Sequence, residues 1–129
     1  MRKLVPYSIL ELLAGRRPQI SSGTRQVDWI HVADVVDGLL HMGLADGIDG
    51  QRVDLGTGEP HTVGEVVETL CHIVDPALTP EVGAVADRQD EQTRRAQVAE
   101  SERLIGWRPR FGLEDGLRDT VEWYRTHGA

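Results

Sequence analysis

The period of the apolar positions changes along the chain, and the most informative change lies between Arg25 and Leu44. Val27, Trp29 and His31 alternate with Asp28, Ile30 and Val32, a strand-like run rich in β-branched residues. Val35, Val36, Leu39, Leu40 and Leu44 then recur at helical spacing, so a helix should start near Ala33 or Asp34. Asp34 in its first turn suits the partial positive charge of a helix N-terminus. A strand thus feeds straight into a helix, with Arg25 and Asp28 at the strand's mouth.

Residues 4–14 read as a short helix. Pro6 suits its first turn, Gly15 suits the position just past its end, and Ile9, Leu10, Leu12 and Leu13 give a broad apolar face. Gln19-Ile20 reads as a brief strand and Ser21-Ser22-Gly23-Thr24 as a turn. A short strand is expected over Arg52–Leu55, followed by a tight turn at Gly56-Thr57-Gly58-Glu59-Pro60. Thr62 and Glu65 have capping-box spacing, in which each side chain accepts from the other's backbone N–H. The helix they open carries Val63, Val66, Val67, Leu70, Cys71 and Val74 on one face and stops before Pro76. Val82–Val85 suggests another short strand, Asp87–Arg95 is a dense charge cluster, and Val98–Ile105 reads as a helix. Trp107-Arg108-Pro109 turns the chain into a closing amphipathic helix marked by Leu113, Leu117, Thr120, Val121 and Tyr124.

Composition narrows the field. A chain of 129 residues with 40% hydrophobic content is one domain by length, a single unit over residues 1–129. The lone Cys71 has no internal partner for a disulfide, which fits a reducing cytoplasm. No apolar run reaches the ~18 residues of a membrane span, and no secretory signal is visible, so no membrane partner is expected. The formal charge of −7 argues against a nucleic-acid surface. It still leaves room for a local basic pocket that takes an anionic small molecule.

Gly56-x-Gly58 between a strand and a helix invites a dinucleotide fingerprint, but His61 stands where the third glycine belongs. A plain strand-to-helix turn accounts for it better. His31, His41, His61, His72 and Cys71 lack metal-ligand spacing, so no metal site is expected. Asp28 and Asp34 could be paired carboxylates. The simpler account is that Asp28 orders the strand mouth and Asp34 sits at a helix start. Trp107 with Pro109 reads as a core plug, since Trp buries a large apolar face.

Five blocks in order carry a resemblance. They are Gly23-x-Arg25-x-x-Asp28-Trp29-Ile30-His31-Val32-x-Asp34-Val35-Val36, then Val53-Asp54-Leu55-Gly56-Thr57-Gly58-Glu59, then Asp87-Arg88-x-x-Glu91, then Leu104-Ile105-Gly106-Trp107-Arg108-Pro109, and last Leu113-Glu114-x-Gly116-Leu117 with Trp123-Tyr124. Together they resemble the carboxy-terminal, substrate-binding part of extended short-chain dehydrogenase/reductases, the NAD-dependent nucleotide-sugar epimerases and dehydratases. The resemblance implies an α/β fold: four to five helices around a few short strands, without the Rossmann nucleotide-binding half. It also implies that an Arg in the Arg-x-x-Asp/Glu block meets the substrate diphosphate, which points to Arg88 with Glu91. A guanidinium fork matches phosphate oxygens with two charge-assisted bonds. Arg88 could instead be a solvated loop arginine paired with Asp87, Asp90 or Glu91.

Many relatives carry Arg just before the Asp, where this chain has Val27. Arg25 lies two residues earlier on the same strand face, and could either replace that Arg as a ligand contact or serve as a structural partner of Asp28. Gln97 stands where many relatives have Asp. The family's acid/base pair, Tyr-x-x-x-Lys, does not occur in the sequence. The expectation is therefore a nucleotide-sugar-binding portion with Arg88, Arg25, Asp28 and Glu91 as candidate contacts. No catalytic residue is assigned, and no cofactor is bound by this chain, although NAD serves the family. The alternatives are an interaction module that docks as a split subunit on a separate Rossmann partner or pairs as a homodimer, and a truncated fragment with no role of its own.

Overall fold

The computed structural model describes residues 3–87 and 94–128. It is a small α/β domain in which three helices form the core and two short ribbons bind the loops to it. α1 (Leu4–Leu13), α3 (Val63–Val74) and α5 (Leu113–His127) pack together. Ile9 and Leu12 meet Val66, Val67, Leu70 and Cys71, and Leu117 and Val121 close the cluster with Ile20. All of these come from positions that recur at helical spacing, except Ile20, whose strand crosses the core.

β1 (Gln19–Ile20) pairs in parallel with β4 (Glu81–Val82), Gln19 opposite Glu81 and Ile20 opposite Val82. β2 (Gln26–Asp28) pairs antiparallel with β3 (Pro60–Thr62), Val27 opposite His61. Gly23 makes a close approach possible here. Its φ is +74°, and a Cβ on it would lie 3.2 Å from the Gly64 Cα, while Gly64 N donates to the Gly23 carbonyl at 2.8 Å.

α2 (Val32–Leu44) follows β2 after three residues. The His31 ring caps it, Nδ1 accepting from Ala33 N at 3.3 Å while Nε2 lies 3.2 Å from Asp119. The same ring stacks on Phe111 with centroids 4.1 Å apart. The inner face of α2 closes on a second small core. There a Cβ on Gly38 would lie 2.6 Å from Leu55 Cδ2 and 3.2 Å from Trp107 Cε2. Trp107, only 1% exposed, is the plug its sequence context suggests. It follows α4 (Val98–Ile105), which ends at Gly106 with φ +65°.

Three local expectations need correction. The strand around Val27 is three residues long, because its partner β3 is equally short, and Trp29 leaves the ladder to donate from Nε1 to the His61 carbonyl at 3.1 Å. Pro60, expected at the end of the turn, instead opens the strand Pro60–Thr62. The strand expected over Arg52–Leu55 is absent among the described residues: no neighbouring strand pairs with it, and Ser101 Oγ holds the Asp54 carbonyl at 2.6 Å instead. Among the described residues no helix is long and apolar enough to cross a membrane.

Candidate functional site

Asp28 is the pivot of the region the sequence singles out. β2 delivers its carboxylate to the loop that follows residue 55 and to the segment before α4. Oδ1 accepts from Thr57 N at 2.8 Å and Thr57 Oγ1 at 2.6 Å. Oδ2 accepts from Gly58 N at 2.9 Å and Ala96 N at 3.0 Å. Partial burial works to raise this carboxyl, but the Thr57, Ala96 and Gly58 donors outweigh it and hold it below its ordinary value. Asp28 is thus a clamp on three chain segments, and any bearing on a ligand is through the shape it imposes.

That clamp also tests the fit of a dinucleotide to Gly56-x-Gly58. A pyrophosphate cradle needs unused N–H groups at the turn and helix start. Here the Thr57 and Gly58 N–H groups already donate to Asp28. The start of α3 is closed by its capping box, with Thr62 N donating to Glu65 Oε2 at 2.6 Å and Glu65 N to Thr62 Oγ1 at 3.1 Å. These residues do not fit the NAD pyrophosphate.

On the other face of β2 lies a cleft of about 820 Å³. Arg25, Lys3 and Asp87 give it charge, and Val27, Trp29 and Val85 give it apolar walls. It opens at the N-terminus of α1, where Lys3 makes no side-chain cap, so the positive end of that helix faces the cleft. Asp87 is fixed at the rim by Ser22, whose Oγ donates at 2.8 Å and whose N–H donates at 3.1 Å. The Ser22 hydroxyl, then that of Ser21, keeps its carboxyl below the usual range. Arg25, which immediately precedes β2, and Val27 within it line this one cleft. Arg88 and Glu91 lie outside the described residues. Among the described residues, no group of three or more His, Cys, Asp or Glu gathers that could hold a metal ion.

A second depression, about 620 Å³, is lined by Arg52, Arg94 and Arg95 with Asp28 and Asp54. Sequence reading registers the Arg94-Arg95 doublet only as part of a charge cluster. It misses that Arg52, distant in sequence, joins them. Asp34 was likewise missed as a tie: it is fully buried and accepts from Arg110 N and Phe111 N, each at 3.0 Å. α2 also carries Asp37 and His41, so nothing local in the sequence marks Asp34 as the buried carboxylate.

No family model matches the chain. It is similar to the dTDP-glucose 4,6-dehydratase of Salmonella typhimurium, 34% identical over 130 residues that span 95% of this chain and 36% of that protein. Among solved structures it is similar to MoeE5 in complex with UDP-glucuronic acid and NAD, with a TM-score of 0.86, 27% identity, and 98% of this chain set on 42% of that one. The UDP-glucose 4-epimerase with UDP-glucose from Thermotoga maritima gives a TM-score of 0.86 at 25% identity, over 97% of this chain and 40% of that one. The chain spans well under half the length of the relatives it matches.

Proposed function

We propose, on the premise that the chain belongs to the extended short-chain dehydrogenase/reductase family and corresponds to its carboxy-terminal part, that it holds the nucleotide sugar of an NAD-dependent epimerase or dehydratase. One observation carries this: the 820 Å³ cleft sets the Arg25 guanidinium and the N-terminus of α1 around an apolar pocket. Cation, helix dipole and flat apolar wall are what a nucleoside diphosphate asks for. Arg88 and Glu91 belong to the same reading as further contacts, while Asp28 keeps the strand mouth in shape. In a whole enzyme of this kind a sugar carbon gives hydride to NAD. This chain contributes the grip on the nucleoside diphosphate and is catalytically inert by itself, and the reducing cytoplasm is its setting. Calorimetric titration with UDP-, dTDP- and GDP-sugars tests it. Saturable binding to one of them, weakened at least tenfold by Arg25→Gln, is expected; no binding to any of the three overturns it.

A second reading is favoured by the outer face of α2. Val32, Val36, Leu39, Leu40 and Leu44 form an apolar stripe there, with Val32 68% and Leu44 85% exposed. The unpaired segment 52–55 runs beside that helix, reached through Leu55 and Gly38. A stripe of several hundred Å² is at the upper end of what monomers leave open. In this reading the chain docks on a separate Rossmann domain, or on a second copy of itself where none is supplied.

A further inference from the structure

The second depression is chemically unlike the cleft, and nothing assigned so far uses it. Its volume of about 620 Å³ lies within the range of small-molecule sites. Three guanidiniums reach it from two distant stretches of a chain whose formal charge is −7. Their internal pairing is uneven. Arg52 Nε lies 3.5 Å from Asp54 Oδ1, so that pair balances itself. Arg95, which lines the depression, donates from Nε to the Gly58 carbonyl, and its terminal nitrogens have no partner among the described residues. Arg94 has no partner among the described residues. Asp28, the remaining carboxylate, is held by four protein donors and supplies one negative charge against the two forks. Among the described residues of the lining, one positive charge is left over.

We infer that the Arg52–Arg94–Arg95 depression is a binding site for a small monocarboxylate such as a sugar acid. A planar carboxylate takes two parallel N–H donors from one guanidinium fork, and its single charge matches the single uncompensated one. A doubly charged phosphate would leave the excess negative. The site lies across β2 from the nucleotide cleft and does not depend on that assignment.

The test is a backbone NMR titration of the chain with glucuronate, with glucose and inorganic phosphate as controls. Glucuronate should shift the signals of residues 52–55 and 94–96 saturably in the millimolar range, glucose should shift none of them, and phosphate should bind no more tightly than glucuronate. Arg94→Gln, at an exposed position without a described partner, should weaken glucuronate at least tenfold, and Arg94→Lys should recover part of that loss. No saturable shift, tighter binding of phosphate, or an unchanged affinity in Arg94→Gln would each overturn the inference.

Discussion

Replacing Asp28 by Asn removes a charge and changes the shape of one side chain by almost nothing, so its effect isolates the clamp. The carboxylate accepts from four donors, two on each oxygen, at 2.6 to 3.0 Å. The best arrangement for Asn keeps its oxygen on Gly58 N and Ala96 N and turns its NH2 toward Thr57. The Thr57 hydroxyl can rotate to accept from that NH2, but Thr57 N then has a donor facing it. One part-buried N–H is left unmade, worth about 1–3 kcal/mol, and the two surviving bonds lose their charge assistance at somewhat under 1 kcal/mol each. Discounting for the half-exposed setting, Asp28→Asn should destabilise the domain by about 3 kcal/mol. Urea unfolding at neutral pH measures it, with the m-value unchanged because the surface exposed on unfolding is the same. The midpoint of thermal unfolding should fall by roughly 10 °C. A loss below about 1 kcal/mol would mean that water satisfies those donors equally well and that Asp28 is not a clamp.

Three further outcomes follow from the same geometry. Because the Asp28 carboxyl is lowered in the folded state, its contribution is complete above the unfolded carboxylate value near ~3.9 and is lost as pH falls through the folded value; acid unfolding curves of Asp28→Asn should therefore be flatter below about pH 4, and parallel curves would contradict the shift. Gly38→Ala gains about 1 kcal/mol of helix propensity but drives a methyl into Leu55 and Trp107, so a net loss of about 1 kcal/mol is expected in urea, and a gain would show that Leu55 moves freely aside. Sedimentation of the isolated chain at several concentrations should show self-association through the α2 stripe, reversed by Leu40→Asp, since several hundred Å² of apolar surface is worth several kcal/mol at ~25 cal/mol per Å²; a monomer at every concentration would contradict it.

Where an element buries one of its own faces, the sequence announces it. α3 and α5 are legible because Val66, Val67 and Leu70, or Leu117 and Val121, fall at helical spacing and do end in the core. The Thr62–Glu65 capping box is legible because both partners are local. Elements defined by a partner are harder to see. β3 contains Pro60 and is a strand only because β2 lies beside it. Residues 52–55 have strand-like composition and, among the described residues, no strand next to them. The site divides the same way. Arg25 and Val27 share a cleft as near neighbours in the chain, but the Asp34 clamp on Arg110 and Phe111, and the meeting of Arg52 with Arg94 and Arg95, join stretches tens of residues apart. No local pattern encodes such a meeting; bonds between distant segments hold it, among them Asp28 on Ala96 N and Ser101 Oγ on the Asp54 carbonyl.

The central claim, that the cleft beside β2 holds the nucleoside diphosphate, is tested most directly by mapping where the ligand lands. Backbone NMR spectra of the chain, recorded with rising UDP and then dTDP, should show saturable shifts confined to the α1 N-terminus, residues 19–27, and residues 85–87. Shifts confined to the face of α2 or to the Arg52–Arg94–Arg95 depression, or none with either nucleotide, would contradict it.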